Sequence, residues 1–331
     1  MRAAVLGAGS WGTTFAKVIA DGGTEVILWS RRLEIASEIE STGRNSSYLP
    51  GIDLPRTVEA TSDLSLALRG ASQIYLAVPS QSLRANLEDW AGSIPRDAIL
   101  VSLIKGLEQG TGLRMSEVVA AVTGRPAGEF AVVSGPNLAL EIAREQPAAS
   151  VAASDDAEVA AQVARVASSP YFTVFANHDV TGTELGGVLK NLIAVAIGIV
   201  NGLGYGQNTK ASIMTRGLSE ITRFAVAFGA QRNTMFGLAG LGDLIATSES
   251  SLSRNHRAGE MLGQGYPKSE VLRRLGQTAE GLSSVAPVLQ LASDRRISMP
   301  IVQQVFDVLE ARMPVAEFGR QLTMSTEVAV E

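Results

Sequence analysis

The groups able to do chemistry in this 331-residue chain are a few lysines, one aspartate and a run of hydroxyl, amide and guanidinium side chains; there is no cysteine, and the only histidines are His178 and His256. Lys190 lies in Glu184-Leu-Gly-Gly-Val-Leu-Lys190-Asn191-Leu-Ile-Ala-Val-Ala-Ile-Gly, an apolar stretch with helical spacing. A lone ammonium there either snorkels to water or is used, because an apolar surrounding makes a lysine a competent proton donor and acceptor. Asn191 beside it offers an amide to a substrate oxygen. Lys105 ends an apolar strand at Lys105-Gly106 and either binds an anionic or carbonyl oxygen or is a solvated strand-end lysine. Asp243, in Gly237-Leu-Ala-Gly240-Leu-Gly242-Asp243-Leu, either caps the next helix or orients a catalytic ammonium. Thr247, Ser253, Arg254 and Asn255 follow and form either a phosphate cradle or a solvated loop. A side chain that takes or gives a proton while a carbon exchanges hydride is the chemistry of a dehydrogenase, with the two histidines as competing acid–base groups.

Such chemistry needs a hydride carrier, and residues 3–32 read as a site for one: an apolar strand, Gly7-Ala8-Gly9-Ser10-Trp11-Gly12, an apolar helix, and a second strand from Glu25 to Ser30-Arg31-Arg32. This is the G-x-G-x-x-G fingerprint in its βαβ context. Gly7 permits the tight turn, Gly9 lets backbone approach a pyrophosphate, Gly12 lets the helix pack on the strand, and the helix N-terminus holds the anion. A tight turn without a ligand is the plain alternative. The acidic residue that would accept the ribose 2′-OH of NAD is missing; Arg31 and Arg32 stand there instead, so NADP is expected to be preferred over NAD, unless both arginines are solvated residues opening a helix.

The elements that must position these groups alternate through the first half. Strands are expected at 73–78, 98–103, 130–133, 149–153 and 172–175, with helical periodicity at 82–90 and 156–167. That order predicts a mostly parallel sheet with helices on both faces, and it puts the strand-end residues Ser80, Lys105 and Asn137 on the cofactor side. From 183 onward only helices are expected, at 183–203, 211–228, 244–246, 269–275, 283–293 and 300–310. The fold class is therefore an α/β Rossmann-like domain, residues 1–178, followed by an all-α substrate and catalytic domain, residues 179–331. The chain is 46% hydrophobic and 18% charged with net charge −5, which argues against nucleic acid and anionic membrane as partners and suits a buried subunit interface. The absence of cysteine excludes disulfides and cysteine-ligated metals and fits the cytoplasm; no signal peptide and no metal are expected. The uncharged stretch 191–207 carries too many glycines for a spanning helix and reads as a buried one.

Taken together, the segments resemble one family, the bacterial NAD(P)-dependent glycerol-3-phosphate dehydrogenases. The resembling motifs are Gly7-Ala-Gly-Ser-Trp-Gly12, Lys105-Gly-Leu-Glu108, Ser134-Gly-Pro136, Leu185-Gly-Gly-Val-Leu-Lys-Asn191, Thr215-Arg-Gly-Leu218, Gly237-Leu-Ala-Gly-Leu-Gly-Asp-Leu244, Ser253-Arg-Asn255 and Glu280-Gly281, in family order from residue 7 to 281. The resemblance implies reduction of dihydroxyacetone phosphate to sn-glycerol 3-phosphate with NAD(P)H, supplying glycerol phosphate for phospholipids, in a cytoplasmic homodimer. It implies that Lys190 is the general acid/base, that Lys105 binds and polarises the substrate, and that Asp243 belongs to the same cluster. It implies that Gly135, Asn137, Asn191, Ser253, Arg254 and Asn255 line the substrate site. Ser10, Trp11, Arg31, Arg32, Tyr48, Ala139 and Glu280 fall with the cofactor, and Lys105 and Arg254 with both ligands. Three positions depart: Asn137 stands for a usual Ser or Thr, Ser248 for a common Cys, and Thr14-Phe15 for Ala-Leu. Two rival readings stay open, a β-hydroxyacid-type dehydrogenase whose Ser253, Arg254 and Asn255 clamp a carboxylate, and a dinucleotide-sensing protein without catalysis, against which Lys190 and Asp243 argue.

Overall fold

The computed structural model describes residues 1–276 and 279–320, and the chain divides into two compact units, Met1–Glu184 and Leu185–Glu331.

The first unit is an eight-stranded sheet in the order β3-β2-β1-β4-β5-β6-β7-β8. The strands are β1 (Arg2–Leu6), β2 (Glu25–Trp29), β3 (Val58–Thr61), β4 (Gln73–Leu76), β5 (Ile99–Ser102), β6 (Phe130–Ser134), β7 (Ala148–Ala153) and β8 (Phe172–Asn177). All neighbours are parallel except β6 and β7, so the sheet is mostly parallel as expected. Helices α1 (Ser10–Asp21), α2 (Leu33–Thr42), α3 (Leu64–Leu68), α4 (Leu83–Trp90), α5 (Met115–Thr123), α6 (Ala139–Ala143) and α7 (Ala157–Val166) connect them. The strands read as continuous apolar runs because both faces are covered. Ala3, Val5 and Tyr75 pack on one face with Phe15, Ile19 and Phe172, while Ala4, Leu6, Ile74 and Leu76 pack on the other with Leu83, Leu87 and Trp90. Strand β3 was not expected. Its sequence Val-Glu-Ala-Thr is short and half-exposed and has too little apolar content to signal a strand; pairing with β2 supplies what propensity does not. Strand β2 stops at Trp29, so Ser30, Arg31 and Arg32 lie beyond its end and do not form part of it.

The second unit is helical, entered through α8 (Val180–Gly202), whose first turn belongs to the first unit. Then come α9 (Gln207–Ala227), α10 (Arg232–Met235), a π turn (Leu238–Gly242), α11 (Asp243–Glu249), α12 (Arg254–Gly263), α13 (Lys268–Leu275), α14 (Glu280–Asp294) and α15 (Pro300–Leu309). Helix α8 is long and apolar enough to cross a membrane, and 89% of its most apolar window is buried inside the protein. Its glycines are packing devices. A Cβ on Gly198 or Gly202 would stand 2.2 Å from the carbonyl oxygens of His256 or Glu260, and one on Gly259 or Gly263 would stand 2.1 or 2.3 Å from those of Val195 or Ile199. Helices α8 and α12 thus touch backbone to backbone, which fixes their register.

Glu220, 1% exposed on α9, accepts hydrogen bonds from the backbone N–H groups of Ile301 and Val302, both 3.0 Å, and so caps α15 in place of a local side chain. Burial pushes its carboxyl up to about 7, against the pull of those two N–H groups. The folded chain therefore holds this proton more tightly than the unfolded chain, and the associated stability is full below about pH 4.5 and lost as pH rises through about 7. Across that window the group contributes about 3 kcal/mol at most. Glu220→Gln is expected to flatten the fall in melting temperature over this range; a slope as steep as that of the unaltered protein would assign the pH dependence elsewhere.

Candidate active site

The glycine-rich turn after β1 sits at the strand-order reversal between β1 and β4. Gly7 has φ +127°, and a Cβ there would stand 2.4 Å from the Ala77 carbonyl oxygen just past β4. A Cβ on Gly12 would stand 1.9 Å from the Gly7 carbonyl oxygen. Packing thus accounts for both glycines. It does not account for Gly9, whose Cβ would meet no protein atom within 4 Å. Gly9 is the N-cap of α1 and no side chain caps the first N–H groups of the helix, the arrangement that suits an anion. The indole N–H of Trp11, buried, finds no partner among the described residues. These residues fit the pyrophosphate of a dinucleotide.

Around the turn the Ser10 hydroxyl donates to the Tyr48 carbonyl at 2.7 Å. Arg32 donates through Nη2 to the Tyr48 hydroxyl at 2.5 Å, and its guanidinium lies 5.1 Å from the ring centroid. The Ser30 hydroxyl accepts from the Arg32 backbone N–H at 3.2 Å. Ser10, Tyr48 and Arg32, far apart in sequence, therefore form one group, and Arg31 stands exposed beside it.

At the ends of β5 and β6, Lys105 Nζ donates to the Gly135 carbonyl at 2.8 Å. Gly106 lets this loop close on Ser80, whose Cβ would be 2.5 Å from an added methyl. Asn137 donates through Nδ2 to the Ser150 hydroxyl at 3.2 Å, and that hydroxyl donates to the Ser134 carbonyl at 2.9 Å; Asn137 Oδ1 has no partner among the described residues. Ala139 opens α6, and its carbonyl accepts from Thr14 at 3.2 Å, so the departure at Thr14 adds a tie between α1 and α6.

In the second unit Lys190, Asp243 and Thr247 are all buried. Lys190 Nζ donates to Asp243 Oδ1 at 2.9 Å and to Thr247 Oγ1 at 2.5 Å, and Thr247 Oγ1 donates to Asp243 Oδ1 at 3.0 Å. Asp243 is the first residue of α11, yet its side chain serves the ammonium. The π turn makes this possible. A Cβ on Gly186 would stand 2.5 Å from the Ala239 carbonyl, so α8 carries no side chain where the turn presses on it, one helical turn before Lys190. Thr247 belongs to this cluster, not to a phosphate cradle. The signal available was its spacing from Asp243, four residues on one helix.

Ser253, Arg254 and Asn255 are not a loop either. Ser253 caps α12 by accepting from the His256 N–H at 3.2 Å, and Arg254 and Asn255 are its first two residues. Asn255 Nδ2 donates to Asn191 Oδ1 at 2.7 Å, and Asn255 Oδ1 accepts from the Gly281 N–H at 3.0 Å. Gly281 follows Glu280 at the start of α14, so these contacts bring Asn191, Asn255 and the α14 N-terminus together, with Arg254 exposed at the rim. His178 is exposed after β8, and His256 is buried with its pKa lowered by desolvation.

Two sequence profiles of one family cover the chain. The NAD-dependent glycerol-3-phosphate dehydrogenase N-terminus matches residues 2–160, and the C-terminus of the same family matches residues 179–320. A glycerol-3-phosphate dehydrogenase (NAD(P)+) of Leifsonia xyli subsp. xyli is 57% identical over 323 residues, covering 98% of this chain and 88% of that protein. The chain belongs to the NAD-dependent glycerol-3-phosphate dehydrogenase family. A second relative carrying the same description, from Streptomyces griseus, is 50% identical over 328 residues, covering 99% of this chain and 98% of that protein. Among solved structures, the glycerol-3-phosphate dehydrogenase of Coxiella burnetii superposes with a TM-score of 0.92 at 37% identity, covering 98% of each chain. Rossmann-like sheet and helical second unit are thus the architecture of this family.

The buried pair generates a stability prediction. Removing one partner strands a charge in an apolar core and costs about 3–5 kcal/mol, whereas removing both with apolar replacements costs much less. Asp243→Leu is expected to lower the melting temperature sharply, and adding Lys190→Met to recover most of the loss. A double variant no more stable than the single one would show that the stranded Lys190 charge is not what makes the single substitution costly.

Proposed function

We propose that the chain reduces dihydroxyacetone phosphate to sn-glycerol 3-phosphate with NAD(P)H, reversibly, with Lys190 as the proton donor. Membership of the family supports the reaction, and the buried Lys190–Asp243–Thr247 cluster is the observation that carries the role of Lys190. Bound nicotinamide supplies the hydride. Lys190 Nζ holds the proton that the substrate oxygen takes as the carbonyl is reduced, and Asp243 and Thr247 fix the direction of its N–H bonds and favour return of the charged form. Lys105, held at the Gly135 carbonyl, polarises the carbonyl and shares the anionic substrate. Gly135, Asn137, Asn191, Ser253, Arg254 and Asn255 form the rest of the substrate site, with the Arg254 guanidinium gripping phosphate.

Gly7, Gly9, Ser10, Trp11, Gly12, Arg31, Arg32, Tyr48, Ala139 and Glu280 hold the dinucleotide, and the arginines make NADP the preferred form. The enzyme works in the cytoplasm as a homodimer, residues 1–178 binding cofactor and residues 179–331 carrying the acid–base group; the low charge fraction favours the buried subunit contact. Glycerol 3-phosphate so formed feeds phospholipid synthesis.

The deciding experiment follows NADPH oxidation with dihydroxyacetone phosphate beside unphosphorylated dihydroxyacetone and a panel of 3-oxo acids. Fast oxidation that requires the phosphate is expected. Turnover of the 3-oxo acids alone would select a β-hydroxyacid-type dehydrogenase, and tight NADPH binding with no turnover a sensor. Arg254→Ala is expected to raise the apparent KM for dihydroxyacetone phosphate about 10–100-fold; an unchanged KM would remove Arg254 from the phosphate site.

A further inference from the structure

Asn45 is a buried side chain with no assigned part in the reaction, 1% exposed in the irregular segment between α2 and β3. Both ends of its amide are used. Nδ2 donates to the Ala8 carbonyl at 3.0 Å, inside the glycine-rich turn, and to Thr13 Oγ1 at 2.8 Å in the first turns of α1. Oδ1 accepts from the Tyr48 N–H at 3.3 Å, and the Asn45 carbonyl accepts from the Tyr48 and Leu49 N–H groups at 3.3 and 2.8 Å. The backbone of Tyr48 is thus pinned to the turn from one side by Asn45 and from the other by Ser10. The Tyr48 side chain in turn holds Arg32 by its hydroxyl and by its ring face.

We propose that Asn45 is a positioning residue for the cofactor: through Tyr48 it sets the Arg32 guanidinium at a fixed distance from the pyrophosphate turn, and so favours a dinucleotide that carries a 2′-phosphate. This rests on the reading that the turn binds NAD(P). The chemistry of the amide suits the task better than any other side chain of its size. Aspartate would face the Ala8 carbonyl with an acceptor and place a negative charge under the pyrophosphate, and serine has too few groups to serve three partners. A guanidinium already held against an aromatic ring loses less freedom when it grips phosphate, so the benefit falls on the phosphorylated dinucleotide. NADH, lacking that phosphate, draws on the turn but not on Arg32.

The test measures dissociation constants for NADPH and NADH by calorimetry on the full chain, without substrate, for the unaltered protein, Asn45→Ala, Arg32→Ala and the double variant. Asn45→Ala is expected to weaken NADPH about tenfold or more and NADH about threefold. In the Arg32→Ala background the extra loss for NADPH is expected to vanish. Equal losses for the two cofactors, or a full extra loss for NADPH without Arg32, would make Asn45 a fold residue only and overturn the proposal. If Asn45→Ala does not fold, Thr13→Val removes one of its acceptors without removing the amide, and the same NADPH-selective loss, about threefold, is expected; equal effects on both cofactors would overturn the proposal in that variant. An unaltered protein that binds neither dinucleotide would instead overturn the functional reading on which the proposal rests, an outcome separable from all of these.

Discussion

An ammonium and a carboxylate buried together in an apolar helical unit are the constraint on which this structure depends. Taking Lys190 and Asp243 out of water is costly, and close contact with correct geometry is what makes it tolerable. That geometry requires α11 to begin beside α8. Gly186 removes the side chain that would keep the π turn away, and the turn delivers Asp243 at the start of α11 with Thr247 one turn later. The glycine contacts of α8 with α12 then fix a second alignment, which brings Asn255 to Asn191, next to Lys190 in sequence. Gly186, Gly198, Gly202, Gly259 and Gly263 are there for close approach between helices.

In the proposed function the first unit has a different problem, to hold a polyanion with backbone. Its turn is tight at Gly7, packed at Gly12 and bare at Gly9. Three side chains steady it: Asn45 by its bond to the Ala8 carbonyl, Ser10 by its bond to the Tyr48 carbonyl, and Thr14 by its bond to Ala139. The Lys17 ammonium, towards the other end of α1, binds Asp21, Glu145 and the Tyr171 hydroxyl, which anchors the helix that opens at the glycine-rich turn. Pre-organisation of this kind lowers the ordering cost of binding.

Much of this was legible in the residues because it follows from short-range rules. The fingerprint glycines, the alternation of apolar strands with helices and the lone lysine in an apolar helix each carry a local signal. What was not legible depends on contacts distant in sequence. Strand β3 exists because β2 pairs with it, not because Val-Glu-Ala-Thr prefers to extend. Helix α12 was hidden because Arg254, Asn255 and His256 are polar, while its buried face is made of Ala258, Gly259, Leu262 and Gly263, small residues that give little hydrophobic periodicity. Thr247 read as one hydroxyl among several until the fold placed it against Lys190, and nothing in the sequence singles out Asn45, whose amide bonds Ala8 and Thr13 across more than thirty residues. Glu220 gave no sign of capping a helix eighty-one residues away.

In the proposed function the buried Lys190 ammonium moves the proton while other groups hold the cofactor. The most direct measurement is turnover of dihydroxyacetone phosphate by Lys190→Met alongside NADPH affinity of the same variant. A fall in kcat of about a thousandfold or more is expected, with NADPH affinity changed less than about threefold. Near-normal turnover, or loss of NADPH binding in step with activity, would contradict it.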